Sequence, residues 1–121
     1  MELENNMVTL FGIKNCDTIK KAKKWLEANE IQFLYHDYRT DGIDASWLEK
    51  TESQLGWQQL LNQRGTTFRQ LDAEQKADLN SHKAIQLMLA APAMIKRPVL
   101  IKDDHYFLGF KPDQYKEIFE V

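Results

Sequence analysis

The sequence contains a single cysteine, Cys16, so no disulfide can form within the chain. Because disulfide-stabilised domains belong to oxidising compartments, we expect a protein of the reducing cytoplasm. Histidine is also scarce: the chain has three, His36, His82 and His105, and their spacing is not that of metal ligands. We therefore expect neither a metal site nor a bound cofactor.

Long apolar runs and a strong net charge are missing as well. No apolar run approaches the roughly 18 residues of a membrane span, and no signal peptide precedes the first predicted strand. The formal net charge of -2 gives no overall attraction to nucleic acid or to an anionic membrane. With 121 residues, 43% of them hydrophobic, the chain is expected to form one soluble domain with a single core.

The lone cysteine lies in the stretch MVTLFGIKNCDTIKKAKKW, Met7 to Trp25. This stretch predicts a strand over Met7 to Phe11, a tight exit at Gly12 and a helix that opens at Cys16. The free N–H groups and the dipole of a helix's first turn favour thiolate over thiol, and Lys14 adds positive potential nearby. Cys16 is thus a candidate nucleophile, and a buried structural thiol is the alternative interpretation.

The residues after Cys16 predict a helix and a second strand. Ile19, Ala22 and Leu26, together with Trp25, form an apolar stripe at helical spacing that ends near Asn29, which predicts that all four are core residues. The segment Ile31 to Tyr38 is rich in β-branched and aromatic residues, which indicates a strand. A strand, a helix and a strand in this order predict a parallel pair.

A helical pattern then extends from Asp44 to about Ala91, and it predicts three or four short helices. Asp44 and Ser81 are candidate N-caps. The C-terminal part returns to strands, with Pro98 to Ile101 and His105 to Phe110 forming a hairpin. Pro112 is a favoured first residue for the closing helix.

The order β-α-β, helical insertion, β-β-α is typical of a thioredoxin-like α/β fold with a mixed sheet. The chain is interpreted as one domain over residues 1–121. Its thioredoxin-like part covers residues 7–42 and 95–121, and the helical insertion covers about 43–94.

Three further features bear on the thiol. Arg97-Pro98 enters the third predicted strand, where this fold commonly has a cis proline facing the cysteine loop, although a trans proline that begins a strand is the alternative. Arg97 offers a bidentate fork for an oxyanion or carboxylate. Arg64 lies in a polar turn between helices, where a solvent-exposed arginine is the plainer interpretation. Lys111 precedes the last helix and is expected at the same end of the sheet as the thiol.

Together, these segments closely resemble the arsenate reductase (ArsC)/Spx family, and within it the YffB-like branch. The matching segments are LFGIKNCDTIKKAKKWL, HDYRTDG, LLNQRGTTFRQL, IKRPVLI and LGFKPDQY, in family order from Thr9 to Phe119. The resemblance implies that Cys16 is the nucleophile and that Arg97 holds an oxyanion. Gly12 and Pro98 would then be structural residues of the site.

The chain departs from the arsenate reductases at several matching positions. Those enzymes carry a histidine four residues before the cysteine and a serine three after it, where this chain has Gly12 and Ile19. Their loop arginine matches Asn62, whereas Arg64 lies where the Spx and YffB-like members have theirs. Lys111 replaces their third arginine. Ile19 also occupies the place of the second cysteine in the Cys-x-x-Cys switch of Spx regulators.

From the residues and the resemblance we expect a glutathione-dependent thiol/disulfide oxidoreductase with one nucleophilic cysteine, Cys16. Arg64, Arg97, Lys111 and Lys14 would bind its anionic substrate, and glutathione would be the co-substrate, with a glutaredoxin-type protein as the other possible reductant. One alternative is a Spx-like regulatory protein that binds RNA polymerase or another protein partner. A true arsenate reductase is the third interpretation.

Overall fold

The computed structural model describes residues 7–14 and 16–121, which form two compact units. One unit comprises the chain up to Asp37 together with Arg97–Val121, and it contains the sheet. The other is Tyr38–Lys96, and it is helical.

The first elements of the sheet unit are strand β1 (Val8–Gly12), helix α1 (Asp17–Ala28) and strand β2 (Leu34–Asp37). Helix α1 buries three residues of the predicted stripe, Ile19, Ala22 and Leu26, while Trp25 is only partly buried. Strand β2 is shorter than predicted. Its first residue, Leu34, is 64% exposed, and the chain from Ile31 to Phe33 is not part of the strand.

The C-terminal elements are strand β3 (Val99–Lys102), strand β4 (His105–Leu108) and helix α7 (Pro112–Phe119). Asp103 and Asp104 both have positive φ, 51° and 66°, which is the backbone of a tight hairpin turn. The predicted hairpin is confirmed, although β4 ends two residues earlier than expected. Pro112 is at the start of α7, as predicted.

The four strands form one mixed sheet in the order β2-β1-β3-β4. Strand β1 is parallel to β2 and antiparallel to β3, so the predicted parallel pair is confirmed. The face of the sheet that carries Val8, Leu10 and Leu100 packs against both α1 and α7. The fully or nearly fully buried members of this core are Val8, Leu10, Ile19, Ala22, Leu26, Leu100 and Tyr115.

The helical unit contains α2 (Ala45–Leu55), α3 (Trp57–Leu60), α4 (Thr66–Arg69), α5 (Ala73–Lys76), α6 (Ser81–Ala90) and a 3-10 turn at Pro92–Met94. Helices α2 to α6 number five in the described chain, so the prediction of three or four was too low. The single-turn helices α4 and α5 are too short to show an apolar period in the sequence.

The sequence predicts N-caps at Ser81 and Asp44. The first prediction is wrong, and Asp44 occupies the N-cap position of its helix without a side-chain hydrogen bond to the helix backbone. The N-cap of α6 is Asn80, whose side chain accepts the Lys83 N–H, and Ser81 is the first helical residue. Asp44 is the N-cap of α2, but its carboxylate accepts the Ser46 hydroxyl at 2.9 Å instead of a backbone N–H. Asn and Ser are both good caps, so composition alone does not decide which one serves.

Candidate active site around Cys16

Cys16 is the N-cap of helix α1, in the extended conformation that precedes a helix. Its carbonyl accepts the Lys20 N–H at 3.0 Å, the first hydrogen bond of the helix. The side chain is partly buried where it packs against the hydrophobic core. The sulfur is therefore held at the junction predicted from the sequence, at the edge of the core and not inside it.

The pKa of the Cys16 thiol lies below its ordinary value. Partial burial has the largest single influence and raises this pKa, but the other influences together outweigh it. Hydrogen bonds from the backbone N–H groups of Ile19 and Thr18 lower the pKa, as do the charge and a hydrogen bond of the Arg97 guanidinium. These donors stabilise the thiolate, which is the form of cysteine that attacks electrophiles.

The sheet topology explains why Arg97 reaches the thiol. Strands β1 and β3 are antiparallel, with Phe11 opposite Val99, so the end of β1 lies beside the beginning of β3. Arg97 is two residues before Val99, and Cys16 follows shortly after β1. The Arg97-Pro98 peptide is cis and Pro98 is buried at the start of β3.

Gly12, the last residue of β1, lies directly beneath Ile19 of helix α1. A Cβ atom at Gly12 would be 2.3 Å from Ile19 Cδ1 and 2.9 Å from Ile19 Cγ1, far inside van der Waals contact. The space that a side chain at position 12 would need is therefore filled by Ile19. This close approach explains the glycine, because Gly12 is not among the glycines with positive φ.

Lys14 is exposed, and its backbone is bound by a buried carboxylate. The Lys14 N–H donates to Asp37 Oδ2 at 2.9 Å, and Asp37 is only 5% exposed. The Arg97 guanidinium lowers the pKa of the Cys16 thiol by its charge and by a hydrogen bond. The Lys14 side chain is exposed, and its effect on the thiol stays a prediction.

Asp37 was not identified from the sequence. It is the last residue of β2, and its Cα pairs with that of Gly12 in the parallel register. Two signals were available: parallel strands end at the same edge of a sheet, and an acidic residue is next to last in the predicted strand Ile31 to Tyr38. The sequence could not show that this carboxylate is buried.

Lys111 is the exposed N-cap residue of helix α7. The loop before it is tied to the start of β3, because the Gly109 N–H donates to the Pro98 carbonyl at 2.8 Å. The backbone before Lys111 therefore lies at the same edge of the sheet as Arg97 and Pro98. Among the described contacts, none joins the Lys111 side chain to Cys16.

Arg64 belongs to the helical unit, in the turn between α3 and α4. Its side chain is exposed, and its backbone N–H donates to Asn62 Oδ1 at 3.1 Å. The turn is tight, since a Cβ at Gly65 would lie 2.9 Å from Asn62 Nδ2. The role of Arg64 in substrate binding stays a prediction.

Residues 7–14 and 16–121 contain no group of three or more His, Cys, Asp or Glu side chains placed to hold a metal ion. In the same part of the chain, no helix has both the length and the apolar character needed to cross a membrane.

Comparison with known proteins defines the family. The sequence model of the ArsC family matches residues 11–118, and the chain therefore belongs to the ArsC family. An uncharacterized protein of Haemophilus influenzae is 43% identical over 113 residues, which cover 93% of this chain and 99% of that protein.

Solved structures agree with this assignment. The solved structure of a protein named YFFB is 51% identical with a TM-score of 0.89, covering 92% of this chain and 97% of that one. An ArsC-related protein of Brucella melitensis is 45% identical with a TM-score of 0.79, covering 99% and 100%. A glutaredoxin of Archaeoglobus fulgidus, 17% identical with a TM-score of 0.52 over 96% of this chain and 88% of that one, shares the fold. The predicted thioredoxin-like fold is confirmed.

Proposed function

We propose that this protein is a glutathione-dependent thiol/disulfide oxidoreductase in which Cys16 is the single nucleophile. One observation carries the proposal: the Cys16 thiol is at the N-cap of α1, where the backbone N–H groups of Ile19 and Thr18 and the Arg97 guanidinium lower its pKa. A structural cysteine needs none of these donors. The proposed chemistry requires a reducing compartment, in keeping with the cytoplasmic location expected from the single cysteine.

The proposed cycle has two exchange steps. The Cys16 thiolate attacks the glutathione sulfur of a mixed disulfide, so that a Cys16–glutathione disulfide forms and the substrate leaves as a thiolate that takes up a proton. The thiolate of a second glutathione then attacks the glutathione sulfur of this adduct. Oxidised glutathione leaves and the Cys16 thiolate is restored. The substrate gains two electrons, and two glutathione molecules end as one disulfide.

Basic side chains supply the binding role in this proposal. Glutathione carries two carboxylates, and a guanidinium fork such as Arg97 suits a carboxylate or an oxyanion. We assign Arg64 and Lys111 to the same role on the strength of the family resemblance, and Lys14 because it lies two residues before Cys16. All three are exposed, so each remains accessible to an anionic ligand.

The first test is exposure of the reduced protein to oxidised glutathione, followed by intact mass measurement. The proposal expects one added glutathione on the wild type and none on Cys16→Ser.

The second test measures glutathione-dependent reduction of a glutathionylated peptide, with Lys111→Ala and, as its control, Lys116→Ala in helix α7. Only Lys111→Ala should raise KM for glutathione. A wild type that forms no adduct and has no activity would refute the proposal.

A second candidate is a regulatory protein that works by binding a partner. The transcriptional regulator Spx of Lactiplantibacillus plantarum is 25% identical over 91% of this chain and 84% of its own length, which favours this candidate. Gly12 and Ile19 favour it too, because they replace residues that support the thiol in arsenate reductases. The variant Cys16→Ser separates the two, since a binding protein keeps its function and an oxidoreductase loses it.

Arsenate reduction is the third candidate, and a direct assay decides it. Arsenate-dependent oxidation of glutathione, with and without a glutaredoxin, should remain at the background rate if the altered positions have removed this activity. Turnover that depends on both arsenate and Cys16 would instead make arsenate the substrate.

A further inference from the structure

A buried carboxylate next to the thiol loop has no role in the function proposed above. Among the buried residues of the described chain, Asp37 and Thr51 are the polar ones, and Asp37 is the one that carries a charge. Thr51 is explained within its own helix, because its hydroxyl donates to the Trp47 carbonyl at 2.8 Å. A carboxylate only 5% exposed is costly unless it is bonded, so the partners of Asp37 indicate its purpose.

One partner of Asp37 is the backbone of the loop between β1 and α1. Asp37 Oδ2 accepts the Lys14 N–H at 2.9 Å, and Lys14 is two residues before Cys16. The parallel register places Asp37 beside Gly12, so the carboxylate is fixed by the sheet itself. Ile13, between Gly12 and Lys14, is 5% exposed and anchors the same stretch from its apolar side.

We propose that Asp37 is a positioning residue for Cys16, which holds the thiol loop by accepting the Lys14 N–H. Hydrogen bonds to a thiolate depend steeply on angle and distance, so the Thr18 and Ile19 N–H groups act on the sulfur only while the loop is fixed. A charged acceptor makes a stronger hydrogen bond to a backbone N–H than a neutral one does. This inference rests on the proposed function, because it concerns the same thiol.

The hydrogen bond and the negative charge of Asp37 should have opposite effects on the pKa of the Cys16 thiol. A negative charge near the sulfur disfavours thiolate, so removal of the charge alone would lower the Cys16 pKa. Loss of the hydrogen bond would release the loop and raise that pKa. The pair Asp37→Ala and Asp37→Asn separates these effects, because asparagine is neutral but keeps an acceptor oxygen.

The experiment measures the rate of Cys16 alkylation by iodoacetamide against pH. We expect Asp37→Ala to lower the rate at pH 7 by about three- to tenfold through a raised thiol pKa, where one pKa unit is about tenfold in thiolate. Asp37→Asn should stay within about twofold of the wild type. The control Thr51→Val removes the other buried polar group and should lose stability without a change in alkylation.

Other results would overturn the inference. An Asp37→Ala protein that alkylates as fast as the wild type, or faster, would show that the loop does not depend on this carboxylate. An Asp37→Asn protein as slow as Asp37→Ala would show that an acceptor oxygen is not sufficient. If Asp37→Ala does not fold, amide hydrogen exchange of the wild type decides instead: the Lys14 N–H should exchange at least about tenfold slower than an unprotected amide. Exchange at the unprotected rate would overturn the inference.

The same data separate this inference from the proposed function. A wild-type thiol with an ordinary pKa, and no adduct with oxidised glutathione, would refute the proposed function. A wild-type thiol with a lowered pKa that does not change in Asp37→Ala would refute the positioning role alone.

Discussion

Gly12 and Ile19 occupy one shared space, because a Cβ on Gly12 would lie 2.3 Å from Ile19 Cδ1. The family resemblance showed two separate departures from arsenate reductases, a missing histidine at position 12 and a missing serine at position 19. In the structure the two departures are linked, because the Ile19 side chain fills the space next to Gly12. A side chain at position 12 would meet Ile19 Cδ1 and Cγ1, so restoring a histidine there requires the isoleucine to move.

We predict that Gly12→Ala and Ile19→Ala are coupled in stability. Gly12→Ala alone should cost about 1–3 kcal/mol by overpacking, and Ile19→Ala alone about 2–4 kcal/mol by leaving a cavity. Together they should cost clearly less than the sum, since the new methyl group enters the vacated space. Urea unfolding of the four proteins measures the cycle.

The control for this cycle is Leu26→Ala, which removes a fully buried side chain from the same helix. Gly12→Ala combined with Leu26→Ala should be additive, because Leu26 is not among the atoms nearest to the new Cβ. If the Gly12–Ile19 pair is just as additive, the two residues do not share their space in solution.

A second prediction concerns Arg97. Its charge and hydrogen bond lower the pKa of Cys16, so Arg97→Gln should raise that pKa and slow alkylation at pH 7. Arg97→Lys keeps the charge without the planar fork and should give an intermediate rate. The measurement is the alkylation rate between pH 5 and about pH 10. An Arg97→Gln protein with an unchanged titration would mean that the backbone donors alone activate the thiol.

A third prediction is that Cys16→Ser is well tolerated at neutral pH. The side chain is partly buried at the edge of the core, so the cost should stay within about 1 kcal/mol. The matched control is Ala22→Ser, which places a hydroxyl at a fully buried position of the same helix and should cost more. A Cys16→Ser protein that is less stable than Ala22→Ser would make the cysteine a core residue.

The same variant gives a fourth prediction, on pH dependence. The folded-state pKa of Cys16 is lowered, so the folded protein releases the thiol proton before the unfolded chain does. This stabilisation is complete above the unfolded thiol pKa of about 8.5, and it is lost as the pH falls through the folded value. The stability of the wild type relative to Cys16→Ser should therefore rise as the pH increases through the folded pKa and level off above about pH 8.5. A fall over this range would mean that burial dominates and the pKa is raised.

A fifth prediction concerns Trp25, which the apolar stripe indicates as a buried core residue. The ring is only partly buried, and it contacts the rings of Tyr115 and Phe119 at centroid distances of 5.5 and 5.9 Å. Trp25→Ala should therefore cost about 2–3 kcal/mol, below the roughly 3–5 kcal/mol of a fully buried tryptophan. Trp25→Phe keeps a ring against Tyr115 and should cost less in urea unfolding. Equal costs for both variants would contradict a role for these ring contacts.

The elements that were predicted well are those with long periodic patterns. Helix α1 was found because its buried residues recur at helical spacing, and α7 because Pro112 marks its first turn. Strand β2 was predicted too long, since Ile31 and Phe33 pack against the core from irregular backbone while Leu34 is exposed. Apolar composition does not distinguish a strand from a buried loop. The single-turn helices α4 and α5 contain too few residues for any period.

The sequence by itself determined the order of the elements and the location of the thiol at the start of a helix. Both follow from local information: side-chain periodicity, the residues that break it, and the motifs of the family. Only the tertiary structure decided which groups act on that thiol. Arg97 reaches Cys16 because β1 and β3 are antiparallel, and Asp37 reaches the Lys14 N–H because β1 and β2 are parallel. Such contacts join residues far apart in the chain, and their geometry is fixed by strand pairing and burial, which local patterns do not encode.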